Sequence, residues 1–296
     1  MKLEFTTVSP VILSPRMQKA LYKGVDFKEV ERDIKNQKIE KVNNINIVYP
    51  FYSYEDRDLL SEKSFSYANK YYIPASSLKG ALLVDKTAKD ENILRRKILF
   101  RDINIESQHI ELNNLYKFQY LYQEVERENN NRQGGAGDKQ NLVYKSPKLE
   151  PFFPSVAIEM MGIGKKFKGE VLLSSEVLEE LLKEELNKSV SGTKKKLKNY
   201  ICEIEQRIES INSWVKDRKL KKDEEKEDYI SKLENIENNI KSLCEAKKTL
   251  LFLGGYKGIL GSLTPPLDKD KKVKNGFYID KDSMLPYGLV EINWDI

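Results

Sequence analysis

The chain predicts an α+β fold, and three stretches carry that expectation. Leu3 to Leu13 and Val156 to Leu173 alternate apolar and polar residues with the period of two that a half-buried strand requires. Leu197, Ile201, Ile204, Ile208, Ile211 and Val215 step by three and four, as do Tyr229, Leu233, Ile236, Ile240 and Leu243, which is the spacing of one helix face. Between the two kinds of pattern, Tyr71 to Leu82 changes from one to the other. Tyr71, Tyr72 and Ile73 favour an extended backbone, and Pro74 keeps Ile73 out of the helical region. Ser76 or Ser77 then caps a helix expected to begin near Leu78, with Lys79 just inside its tip. Backbone donors, two hydroxyls and an ammonium make that tip a candidate phosphate site.

Ile73-Pro74-Ala75-Ser76-Ser77-Leu78-Lys79-Gly80 resembles the IPGSSLKG signature of the RAMP superfamily, the CRISPR-associated proteins that hold guide RNA. Ala75 stands where the family usually has Gly, and Leu83 where a basic residue often follows. The resemblance implies an RRM-like, ferredoxin-like RAMP body into which a helical hairpin is inserted. The implied limits are a body over 1–173, a helical region over 174–250 with its antiparallel coiled-coil hairpin at about 194–250, and a return to the body over 251–296.

In chain order, the first strand stops at Pro10 and leads through Val11-Ile12-Leu13 to Arg16 and Lys19. Many RAMP proteins carry a small Gly-rich segment beside the RNA there; here the two cations stand in its place. Ile47 to Tyr52 is extended and aromatic, either half-buried sheet or a surface that stacks bases. Phe100-Arg101-Asp102 resembles the "FRD" that follows the first helix in many RAMP subunits. Strands are expected near Ile103 to Ile110 and Leu115 to Leu121, then a loop without apolar periodicity from Glu126 to Gln140. Gly162-Ile163-Gly164 predicts a tight hairpin between two paired strands.

A helix from Ser174 to Asn187 is expected to break at Ser191-Gly192-Thr193. The two apolar stripes beyond it fit one antiparallel register, with Ile211 facing Leu233, Ile208 facing Ile236 and Ile204 facing Ile240 about a charged turn near Lys222. About 22 residues per arm at 1.5 Å each predict a projection of roughly 33 Å. The second helix runs into Leu250 to Ser262, where Gly254, Gly255, Gly258 and Gly261 let backbone approach a ligand closely. This stretch lacks the Lys-Ser/Thr of a Walker loop, and it resembles the Gly-rich loop that touches RNA backbone in RAMP proteins. Lys257 adds charge.

Composition narrows the function further. The 296 residues carry a net charge of only +5 although 33% are charged, so any basic surface is local. Cys202 and Cys244 provide neither a disulfide framework nor a metal quartet, no apolar run reaches a membrane span, and the expected compartment is the reducing cytoplasm. No cofactor or metal is expected. The single histidine, His109, has no evident partner for proton transfer. The overall order of segments looks most like the guide-capping subunits of type III-A complexes. That resemblance implies a non-catalytic protein that holds crRNA beside other RAMP subunits, with target RNA within reach and no membrane. The expected RNA-binding set is Arg16, Lys19, Ser76, Ser77, Lys79, Gly254, Gly255, Lys257, Gly258 and Gly261. Two alternatives stand beside it. One is a RAMP backbone subunit cutting target RNA with a loop aspartate, Asp26 or Asp33; the other is a coiled-coil scaffold without RNA function.

Overall fold

The structure is a computed structural model that describes residues 1–55, 57, 62–83, 97–118, 123–126, 141–144, 149–216, 224–262 and 276–294. Alternation in Lys2–Thr7 (β1) places Leu3, Phe5 and Thr7 inward, as expected. The next strands in chain order are β2 (Leu21–Tyr22), β3 (Ile47–Tyr49) and β4 (Lys70–Ile73). The helix α1 (Ala75–Leu82) follows, then β5 (Leu99–Phe100), β6 (Ile103–Glu106), β7 (Ile110–Asn113) and β8 (Tyr116–Phe118). After the small pair β9 (Gln123–Glu126) and β10 (Asn141–Tyr144) come β11 (Leu149–Pro151), β12 (Val156–Met161) and β13 (Lys166–Leu172). Two long helices then occupy α2 (Glu176–Lys216) and α3 (Glu224–Glu245). The chain closes through β14 (Leu250–Phe252), α4 (Gly258–Ser262), β15 (Phe277–Tyr278) and β16 (Leu289–Asn293).

The main sheet has the order β14-β16-β1-β13-β5. Within it, β16-β1-β13-β5 has the order and alternating direction of a βαββαβ unit built from β1, α1, β5, β13, α2 and β16, and β14 adds an antiparallel edge strand beside β16. Both helices cover one face. Leu78 and Leu82 of α1 and Leu178, Leu182, Leu186 and Val190 of α2 share a core with Leu3, Phe5, Phe167 and Val171. Ser189 of α2 donates its hydroxyl to the Leu82 carbonyl at 2.8 Å, which pins the two helices together. The fold is α+β with a helical insertion, as the sequence predicts.

Several expectations need correction. The strands flanking Gly162-Ile163-Gly164 do not pair with each other. β13 lies between β1 and β5, whereas β12 joins a second sheet, β2-β3-β12-β7. The Thr7 hydroxyl donates to Gly162 O at 2.6 Å and accepts from Lys165 N–H at 2.8 Å, so the turn is held by β1 and hands the chain from sheet to sheet. β12 is buried on both faces, a pattern a two-faced hairpin strand would not show. The break at Ser191-Gly192-Thr193 is absent, because α2 runs unbroken for 41 residues. Its inward stripe continues Leu186, Val190, Leu197, and the Thr193 hydroxyl donates back to Ser189 O at 3.0 Å. α3 ends sooner than expected: Lys247 takes a left-handed φ of 44°, and Leu250-Leu251-Phe252 forms a strand against β16.

The helical pair also lies closer to the body than a projecting arm would. Leu197, Tyr200, Ile204, Ile211, Tyr229, Leu233, Ile236 and Ile240 share one core with Phe118, Leu250, Phe252, Phe277 and Leu289. Tyr229 packs on Phe118 at 4.8 Å, and the Arg207 guanidinium lies over Phe277 at 4.5 Å. The Lys241–Glu205 ion pair (3.4 Å) crosses between the helices in the turn that holds Ile204 and Ile240, in keeping with the expected register. Ile208 is only partly buried, and Val215 and Lys222 lie outside the described side chains. The loop expected at 126–140 and the end of the strand expected at 115–121 also fall largely outside the described residues.

Candidate nucleic-acid interface

The signature stretch folds as a strand, a proline and a helix, but with a different cap. Ile73 pairs with Ile103, Pro74 occupies the N-cap with extended backbone (ψ 136°), and α1 begins at Ala75. No serine caps it. The Asp102 carboxylate accepts from the Ala75 N–H at 2.7 Å, so the helix already has its anion, supplied by the Phe100-Arg101-Asp102 segment. Asp102 therefore disfavours a phosphate at the tip itself. Ser76 is exposed, and Lys79 lies on another face of the helix from the cleft.

The side of α1 carries the site instead. Ser77, Gly80 and Ala81, spaced one helical turn apart, wall a cleft of about 320 Å³ together with Gly254, Gly255, Tyr256 and Lys257. Ile12, Leu13, Ser14 and Tyr52 complete it. Three small residues on one face keep the space open, and a Cβ built on Gly80 meets nothing within 4 Å. A ladder of backbone hydrogen bonds crosses the site: Gly255 N–H to Ile12 O (2.8 Å), Tyr52 N–H to Leu13 O (3.1 Å) and Tyr72 N–H to Tyr52 O (3.0 Å). The Gly-rich loop, the segment after β1 and the signature strand are thus one connected scaffold.

The glycines act more as packing devices than as donors. Gly254 has φ +91°, and a Cβ there would come within 2.4 Å of the Ile12 carbonyl oxygen, so only glycine permits this approach. The Gly255 N–H is spent on Ile12, contrary to the expectation that it faces a ligand. Gly258 (φ +65°) opens the short α4, and Gly261 packs against Tyr200; neither walls the cleft. Tyr200 donates its hydroxyl to Lys257 O at 2.7 Å and anchors the loop from α2.

Lys257 is the cation of the site. Its ammonium is turned inward, donating to Phe252 O at 3.1 Å, and burial, helped by the charge of Lys196, pushes its pKa down to about 8. Burial lowers the pKa of Lys196 as well. Among the described residues neither lysine has an acidic partner. Lys257 walls the cleft and Lys196 does not, so the cleft holds one desolvated cation whose charged form an anion from outside would favour. Lys196, half-buried on α2 one turn before Tyr200, was missed by sequence reasoning because it sits within a run of charged residues.

Of the expected set, Ser77, Gly254, Gly255 and Lys257 come together. Lys19 is exposed and borders a second, neighbouring cleft, while the side chain of Arg16 lies outside what the structure describes. Neither Asp26, whose carboxylate accepts from the Tyr22 N–H at 2.8 Å to close a turn, nor Asp33 borders either cleft. His109 borders neither cleft, and its Nδ1 is buried without a partner among the described residues. No described helix is long and apolar enough to cross a membrane.

No protein-family model and no curated protein matches the chain. Among solved structures, it is similar to a chain of the cryo-EM structure of the Csm-crRNA-target RNA ternary complex in the type III-A CRISPR-Cas system. There the identity is 13% and the TM-score 0.41, over 99% of this chain and 100% of that one. It is also similar to the crystal structure of T. onnurineus Csm5, with 12% identity and a TM-score of 0.36 over 97% and 99% of the two chains. Likenesses at this level describe a distant similarity of chain course and assign no residue a role.

Proposed function

We propose that this chain is a non-catalytic guide-RNA-binding subunit of a type III CRISPR effector complex, resembling the fifth Csm subunit, that caps the 3′ end of the guide. One observation carries the reading. The face of the IPASSLKG helix and the Gly-rich loop, far apart in sequence, wall a single cleft that holds a desolvated cation without an acidic partner among the described residues. Phosphate is the group common to every nucleotide, and a guide of varying sequence requires contacts of that kind. The partners are the crRNA and neighbouring RAMP subunits, with target RNA reached through the guide, in a soluble cytoplasmic assembly.

Cross-linking from guide RNA carrying 4-thiouridine at either end tests the capping role. Adducts within 77–81 and 252–257 from the 3′-terminal label are expected, and preferential adducts from the 5′ end would contradict it. Purified protein should leave guide and target RNA intact. Cutting that stops with Asp26→Ala or Asp33→Ala would instead support the backbone-subunit alternative.

A further inference from the structure

Beside the phosphate cleft lies a second one of about 570 Å³, and Tyr52 borders both. Tyr72 also lines it and is held by two neighbouring rings: Tyr54 stacks on it at 4.2 Å and Tyr52 leans on it at 5.7 Å, tilted by 52°. Pro50 and Phe51 add apolar wall, and Arg57 borders it as well.

Arg57 is unusual. Its side chain is 7% exposed, and its Nη2 pairs at 2.7 Å with Glu159, which is fully buried. Tyr71 and the Phe51 N–H also donate to that carboxylate, at 2.8 and 2.9 Å. The guanidinium lies against the rings of Phe65 and Tyr71. Nε and Nη1 nevertheless find no acceptor among the described residues. Buried donors left in this state are costly, and an incoming acceptor relieves them. Because Glu159 already neutralises the charge, that acceptor need not be an anion. Aromatic walls and in-plane N–H donors suit a flat, uncharged ring with oxygen or nitrogen acceptors at its edge.

We infer that this second cleft holds a nucleobase of the same RNA strand whose backbone occupies the first cleft, stacked beside Tyr52 and Tyr72 with an edge acceptor on Arg57. This rests on the RNA-binding reading above. The base is the part of a nucleotide that extends away from its phosphate, and Tyr52 joins the two clefts. Every base offers at least one edge acceptor, so such a subsite tolerates a varying guide.

The test compares single-stranded RNA with an abasic ribose-phosphate strand of equal length, by fluorescence anisotropy on the full chain. Tyr72→Leu should weaken binding of the base-bearing strand about tenfold and leave the abasic strand unchanged. Arg57→Lys, which keeps a cation for Glu159, should also weaken only the base-bearing strand. Gly80→Leu, which fills the first cleft, should weaken both. Equal effects of Tyr72→Leu on the two strands, or none on either, overturn the base cleft. If Tyr72→Leu still separates the strands while Gly80→Leu changes nothing, the phosphate cleft falls and the base cleft stands. A measurement on the parent protein needs no variant: 2-aminopurine walked along the RNA should be quenched at one position, and quenching nowhere overturns the proposal.

Discussion

At the scale of single residues, two glycines divide the roles that the sequence assigned to several. Gly80 sits in ordinary helix and a Cβ there meets nothing within 4 Å, so Gly80→Leu should extend its side chain into the cleft and raise helix stability by up to about 1 kcal/mol. RNA affinity should fall while the melting temperature holds or rises. Gly254→Ala works the other way, since its φ of +91° and the Ile12 oxygen at 2.4 Å leave no room; thermal denaturation should show a loss of about 1–3 kcal/mol. Lys257 gives the site a pH signature. A pKa lowered from 10.5 to about 8 leaves the ammonium charged at pH 7 and neutral above pH 9. Affinity for RNA should therefore drop about tenfold from pH 7 to pH 9, and Lys257→Met should flatten that profile. The linked stability runs in the opposite sense. The folded pKa lies below the unfolded one, so stability rises as pH climbs from about 8 toward 10.5. Ser77 and Lys257 were legible from residue type and motif. Gly80 stood within the signature, yet only the helix phase, which sets it beside Ser77 and Ala81, reveals that it faces the cleft. The Asp102 cap was hidden, because nothing local to Asp102 says that β6 brings it to Ala75.

Among the elements, long helices were the easiest to read and their surroundings the hardest. The three-and-four spacing locates both helices of the hairpin, and all of Ile204, Ile211, Leu233, Ile236 and Ile240 are buried. Period says which face is apolar, not how many partners share it. The seam meets its sister helix and also Phe118 and Phe277 of the body, which a projecting arm would not. Ile236→Asp, at a fully buried position, should cost several kcal/mol in chemical denaturation through an unpaired charge; Ile208→Asp, only partly buried, should cost less. Equal losses at the two positions would contradict this packing. The strands β12 and β13 show a second kind of blindness. Gly162 and Gly164 correctly mark a turn, but the Thr7 hydroxyl that holds it comes from the far end of the sequence and decides which sheet each strand joins.

For the whole molecule, the arrangement ties stability and binding to one scaffold. The cleft is walled by α1, the segment after β1 and the Gly-rich loop, each fixed by a hydrogen bond to a different part of the fold. Because the hairpin shares its core with β14, β15 and β16, Ile240→Ala should lower the melting temperature of the whole chain in a single transition, and a separate early transition would mark the hairpin as an independent arm. The central claim is that the cleft between the signature helix and the Gly-rich loop binds RNA through its backbone. Binding of two unrelated guide-length RNAs across a salt series, by the parent chain and by Gly80→Leu, tests it most directly. The parent should bind both with the same steep salt slope, and Gly80→Leu should lose affinity for both to the same degree. A Gly80→Leu protein that binds both RNAs like the parent, or that loses only one of them, would contradict it.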